Sequence, residues 1–233
     1  NEICVNGQLL LLDLIEHLEV VPGFELIQSN TDGLIIKIPD TNEAFDAVDD
    51  ICFEWEKRTG MRLGVDYITE IWQKDVNNYV FLDADGEIER KGAYVKKNHD
   101  LDNDLPIINT ALVDYFTKGV PVITTINNCT DLIQFQKIYK VSSKYICARH
   151  NGVDQNGKSF RVFASLDPND STLYKTKMKQ GRLAVEKFAN CPDHCFIYNG
   201  DVRLLDKDVI NQYVDRNWYV ELAEKRLKDY GIV

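Results

Sequence analysis

The chain of 233 residues lacks any apolar run of about 18 residues or more, which excludes a helix crossing a membrane. It opens on Asn1 with neither an initiator methionine nor a signal-peptide pattern, so an excised domain or a trimmed chain is the expectation. No paired cysteine framework is present. Cys4, Cys52, Cys129, Cys147, Cys191 and Cys195 are scattered, and in a chain of this length they read as reduced intracellular thiols. A second ligand pair is missing as well. Cys191-Pro192-Asp193-His194-Cys195 invites a zinc reading, but a structural zinc site needs about four ligands, and only Cys147 and His150 are comparable neighbours. Buried thiols around a turn are the expectation there, with zinc the alternative.

Excess positive charge is also lacking. A net charge of -10 argues at first against nucleic acid, whose phosphates are bound through Lys and Arg. The distribution is uneven, however. Residues 1–99 carry 9 basic and 20 acidic residues, whereas 100–233 carry 18 and 17, and 140–187 alone hold 10 against 4. A local basic face is therefore available on an acidic chain.

What is present reads as α+β. Leu9 to Leu18 is an apolar, helix-favouring run ending near Pro22-Gly23, expected as a buried helix. Two strand-like runs follow around Asn30-Thr31-Asp32-Gly33, a turn whose glycine can reach positive φ. Leu34 and Ile36 should face opposite to Ile35. Ala44, Phe45, Val48, Ile51, Cys52 and Trp55 then recur at helical spacing between a cap at Thr41 or Asn42 and a stop at Thr59-Gly60. Strands are expected over 63–72, 78–82 and 88–95, the last two joined by a tight turn at Asp83-Ala84-Asp85-Gly86. Helices are expected over 105–116, 131–141 and 211–230, with short strands, lysines and glycines between 153 and 189. The polar, charged stretch from Lys96 to Asp104 is the expected boundary between domains 1–99 and 100–233.

The carboxylate at the hairpin tip, Asp32, is a metal-ligand candidate, although an Asx-Gly turn is equally an ordinary hairpin. The segment resembles motif C of B-family DNA polymerases, especially their protein-primed and phage-type members. That motif is usually written Asp-Thr-Asp-Ser. Its second aspartate, which binds the catalytic magnesium ions, falls on Asp32; the first falls on Asn30 and the serine on Gly33, both departures. The resemblance continues in order. Asp75-Val76-Asn77-Asn78-Tyr79 looks like the family's Lys-Lys-Arg-Tyr segment, which faces the primer-template minor groove; Tyr79 falls on its tyrosine, Asn77 and Asn78 replace basic residues, and Lys74 remains nearby. Asp85 to Gly92 resembles the hairpin and Lys-Gly pair that follow, so Lys91 would contact a primer phosphate and Gly92 would admit DNA close to the backbone. Taken alone, Tyr79 is a sheet-face aromatic and Lys91 a solvated lysine. Asp215 to Tyr219 resembles the opening of a late family helix; its aromatic pair is equally helix core.

The resemblance implies a partial polymerase palm, an antiparallel sheet with helices, over 1–99, followed by a mainly helical thumb-like domain over 100–233. Its implied chemistry is nucleotidyl transfer to a primer 3'-hydroxyl in the intact enzyme, with Asp32 as the catalytic and metal-binding residue. Tyr79, Lys91, Gly92 and Lys74 are the implied nucleic-acid contacts, and the basic 140–187 region would grip the duplex backbone. Mg2+ would be held in the intact enzyme and not tightly by this chain, because a second carboxylate is not specified by spacing and Asn30 is neutral. The partners implied are primer-template DNA, deoxynucleotides and the N-terminal remainder of the polymerase, in the cytoplasm of a bacterial host. The motif A segment, with its aspartate before Ser-Leu-Tyr-Pro-Ser, is absent, so the chain is expected to be inactive alone. Two other classes compete. One is a non-catalytic replication accessory module that binds nucleic acid, and the other is a protein-interaction domain using the acidic 40–56 face.

Overall fold

The computed structural model describes residues 2–31, 33–97, 104–200, 208 and 212–232. The chain forms two compact units, residues 1–69 and 70–233. This division differs from the expected one near Lys96 to Asp104, because Val80 and Val95 are wholly buried in one core with Leu105, Leu112 and Phe116.

In the first unit, α1 (Glu2–Leu18) leads into a hairpin of β1 (Glu25–Ser29) and β2 (Leu34–Lys37), followed by α2 (Asn42–Thr59). The hairpin pairs Glu25 with Lys37 and Ser29 with Leu34, with a bulge between Leu26 and Gln28. Leu34 and Ile36 share the face that packs on Leu14, Leu18 and Trp55, as their alternation requires. The α2 boundaries follow from their end chemistry. Thr41 Oγ1 accepts from Ala44 N at 3.3 Å, and Gly60 takes φ 74 while its N–H bonds to Glu56 O. Trp55 Nε1 donates to Leu10 O at 3.1 Å and Arg58 clamps both oxygens of Asp13, tying α2 to α1. The expected buried helix is only half so: Leu11, Leu14 and Leu18 are buried, while Ile3, Val5, Leu9 and Leu12 are exposed.

In the second unit, β3 (Ile68–Asp75), β4 (Asn78–Asp83) and β5 (Ile88–Lys91) form a three-stranded sheet. Helices α3 (Pro106–Lys118), α4 (Val122–Asn128) and α5 (Arg216–Asp229) pack with it around Ile108, Leu112, Ile126, Phe135, Phe163 and Tyr219. The expected helix over 131–141 is replaced by a 3-10 turn, Leu132–Phe135, and a strand, β6 (Lys137–Lys140). Pairing decides this. Lys137 sits opposite Val162, and Ile138 N donates to Asp104 Oδ1 at 2.8 Å, so a β-branched and aromatic pair gains a ladder that a helix would deny it.

The remaining strands are β7 (Ala148–His150), β8 (Val153–Gln155), β9 (Ser159–Ala164), β10 (Tyr174–Lys179), β11 (Arg182–Lys187) and β12 (Cys195–Ile197). They form a sheet in the order β11-β10-β7-β8 and another in the order β12-β9-β6. The mainly helical character expected for 100–233 is therefore corrected to mixed α+β. Strands of three to six residues are too short to print a period that sequence can show. Among the described residues, no helix is long and apolar enough to cross a membrane.

Candidate nucleic-acid interface

Antiparallel pairing brings the expected contact residues of the second unit onto one hairpin. Tyr79 on β4 lies directly opposite Lys91 on β5, and Phe81 opposite Glu89. Directly opposed residues share a face, so Tyr79, Phe81, Glu89 and Lys91 form one surface. Val80 points the other way, into the core. The Tyr79 and Phe81 rings stack with centroids 6.0 Å apart and planes at 15°. Both are half-buried. The turn that fixes this register is self-capped, with Asp83 Oδ1 accepting from Asp85 N at 2.9 Å and Glu87 N at 2.8 Å.

Charge on this surface is unequal. Glu89 is answered by Lys97 at 3.8 Å, whereas exposed Lys91 makes no ion pair among the described residues. Lys74 differs. Its ammonium is bonded to Asp75 Oδ2 at 2.9 Å and lies 5.5 Å from the centre of the Tyr94 ring, which also carries the Arg226 guanidinium at 4.4 Å. Of the two lysines read from the sequence, Lys91 is thus the one whose charge is uncommitted.

The end of the hairpin is held by a brace that sequence reading passed over. Asp75 accepts from Asn77 N at 2.9 Å and from Asn78 Nδ2 at 2.9 and 3.1 Å. Asn78 Oδ1 in turn accepts from Ala93 N at 3.1 Å. An amide supplies a donor and an acceptor at once, which lysine and arginine cannot, and this accounts for Asn78 standing where the resemblance has a basic residue. Gly92 closes the brace. At φ 105 its backbone is in a region L side chains avoid, and a Cβ there would sit 2.2 Å from Asn78 Oδ1 and 2.5 Å from Asn77 O. Its lack of a side chain serves the turn directly. The signal was legible as the Asp-x-Asn-Asn turn pattern.

Hydrogen bonds from Lys74 and Asn78 pull the Asp75 carboxyl down to about 2. Because the folded value lies below the ordinary 3.8, the brace's contribution is complete above the unfolded value and disappears only as pH falls through about 2. The Ala93 amide resonance is expected to shift with a midpoint near 2; a midpoint near 4 would mean that Asp75 is not engaged.

Asp32 lies outside the described residues. On either side of it, Asn30 N donates to Gly33 O at 3.0 Å, and Gly33 N to Asn30 Oδ1 at 2.9 Å. The Asn30 amide oxygen is thus used within the turn. No group of three or more His, Cys, Asp or Glu among the described residues could hold a metal ion. At the other sequence-stated candidate, Cys191 and Cys195 are both buried. Cys195 Sγ donates to Ser171 O at 3.3 Å, and its interaction with the Cys191 thiol, followed by burial, pushes its own thiol far up. Tyr219 of the late helix is wholly buried, with its hydroxyl donating to Phe135 O at 2.7 Å.

Compared with known proteins, the chain matches no family model, and no curated protein matches it.

Proposed function

We propose that this chain is part of a DNA-directed DNA polymerase of the phage or plasmid B-family type, acting in the cytoplasm of a bacterial host. In this reading the β4–β5 surface bears on the primer end of a primer-template duplex. The observation that carries it is the direct opposition of Tyr79 and Lys91 beside the side-chain-free Gly92. An uncommitted lysine next to a half-buried aromatic pair suits a phosphate contact with a sugar-face contact beside it. Gly92 supports Lys91 by keeping the Asn78 brace in place; the resemblance had assigned it to close approach of DNA. Asp32 is the chain's proposed contribution to Mg2+ binding in the intact enzyme, where deoxynucleotides and the N-terminal remainder complete the reaction.

A second reading, a nucleic-acid-binding accessory module without chemistry, is favoured by Asn30 and its engaged amide oxygen. Both readings require the same duplex contact. Fluorescence anisotropy with a labelled primer-template over a salt series tests it. Lys91→Ala is expected to weaken binding by about three- to tenfold whatever the DNA sequence, with the salt slope falling by about 0.9. Lys74→Ala should cost less, since Asp75 already neutralises that ammonium. Binding unchanged by Lys91→Ala would contradict the assignment and favour the protein-interaction class.

A further inference from the structure

Strand β11 is the open edge of its sheet. Among the described residues the order β11-β10-β7-β8 leaves no strand on its far side. The phase of the ladder fixes which backbone groups there are spare. Thr176 of β10 turns both of its groups toward β7, its N–H donating to Cys147 O at 3.0 Å and its C=O accepting from Ile146 N at 2.7 Å. Val185, directly opposite Thr176, therefore takes no ladder bond from it, and its own N–H and C=O point away from β10. One step past the ladder, Phe188 N donates to Leu173 O at 3.1 Å, which gives the same phase: Arg182, Ala184 and Glu186 bond inward, while Leu183 and Val185 face outward.

The two faces of this edge differ in chemistry. Met178, Leu183 and Val185 share one face and are 58%, 48% and 48% exposed, an apolar strip open to solvent. The other face carries Lys175, Lys177, Lys179 and Arg182 against a single carboxylate, Glu186. Glu186 is spent within the sheet, pairing with Lys177 and accepting from the Tyr145 hydroxyl at 2.7 Å. Lys179 and Arg182, on either side of the Gln180-Gly181 turn, are exposed and make no ion pair among the described residues.

We infer that the β11 edge accepts an extended segment of a partner protein in which acidic and apolar residues alternate, adding one strand to the sheet. The spare N–H and C=O groups of Leu183 and Val185 are met by the backbone of another strand. On the face of Lys179 and Arg182 the uncompensated cations select carboxylates, and on the opposite face Leu183 and Val185 select apolar side chains. Because successive residues of a strand point to opposite faces, the two requirements alternate along the incoming segment. A nucleic-acid backbone would answer the cations and leave the apolar strip and the strand edge unfilled. A second copy of this chain would set one basic face beside another. The β11 edge shares no residue with the β4–β5 hairpin, so this docking is independent of the primer contact.

The test is amide NMR of the full chain titrated with synthetic peptides of about six residues, an ordinary strand length. One peptide alternates glutamate and valine, one alternates lysine and valine, and one is glutamate throughout. The first is expected to bind at least about threefold tighter than either of the others. Its binding should weaken as salt rises, and it should shift the Leu183 and Val185 amides more than those of Ala184 and Glu186, which are already bonded to β10. Arg182→Glu should weaken it about three- to tenfold, since attraction between opposed side chains becomes repulsion. Leu183→Thr with Val185→Thr places β-branched residues that suit a strand and should weaken it by about the same factor through loss of the apolar strip. Equal binding of the all-glutamate peptide would mark a site for polyanions, nucleic acid included, and would overturn the inference. Shifts centred away from 183 and 185, binding unaltered in either variant, or no binding at low salt would overturn it as well. So would the same amide shifts on concentrating the chain alone, which would make the occupant a second copy.

Discussion

Gly92→Ala is expected to destabilise the second unit by about 2–6 kcal/mol and to remove most of the duplex affinity ascribed to Lys91. Two costs add. Holding a non-glycine residue at such a backbone angle costs about 1–3 kcal/mol, and forcing a methyl group into packed neighbours costs about 1–3 more. The added Cβ would meet Asn78 Oδ1 at 2.2 Å, so it must displace the oxygen that accepts from Ala93 N. The consequence passes to function because Ala93 and Gly92 directly follow Lys91, whose position opposite Tyr79 depends on the end of the ladder. Gly86→Ala separates the costs. Gly86 also has a positive φ, 83, but a Cβ there meets nothing within 4 Å. Its loss should be the backbone component alone, about 1–3 kcal/mol. Urea titrations of the two variants check the ordering; equal losses would show that the contact with Asn78 is immaterial.

Tyr219 offers the second large effect. Its side chain is fully buried on α5, its hydroxyl donates to Phe135 O at 2.7 Å and accepts from Ala164 N at 3.1 Å, and its ring packs edge-on to Phe135. Tyr219→Phe keeps the ring and leaves a carbonyl and an N–H without that partner, a loss of about 2–4 kcal/mol. Tyr219→Ala adds a cavity and should lose about 4 kcal/mol or more, a large share of a typical domain's 5–15. Denaturant midpoints measure both. A Tyr219→Phe variant as stable as wild type would mean that the hydroxyl bridge between the 3-10 turn and β9 contributes nothing. Helix core was one of the two readings that sequence allowed for this aromatic pair.

The parts legible in the sequence are those whose information is local. Thr41 and Gly60 bracket α2 because a cap and a stop are written in the residues that make them. The register that sets Tyr79 against Lys91 follows from Asp83 to Gly86, whose turn chemistry is self-contained. The second half was not legible for the converse reason. Strand β9 finds its partners in β6 and β12, tens of residues away, and Lys137 to Lys140 become strand only because Phe160 and Val162 lie beside them. At the candidate site, residue types were visible and their engagement was not. Lys74 and Lys91 look alike in sequence, and only the carboxylate of Asp75 distinguishes them. Asn78 read as a lost basic residue until its two-way bonding to Asp75 and Ala93 gave it a task.

The central claim is that the Tyr79 face of the β4–β5 hairpin lies against the primer end. Photocrosslinking tests it most directly: a photoreactive phenylalanine replaces Tyr79, and the chain is irradiated with a primer-template labelled on either strand. The account predicts an adduct confined to the last few nucleotides of the primer strand and diminished by Lys91→Ala. Adducts spread evenly along the duplex, or none from position 79 under conditions where the chain binds the primer-template, would contradict it.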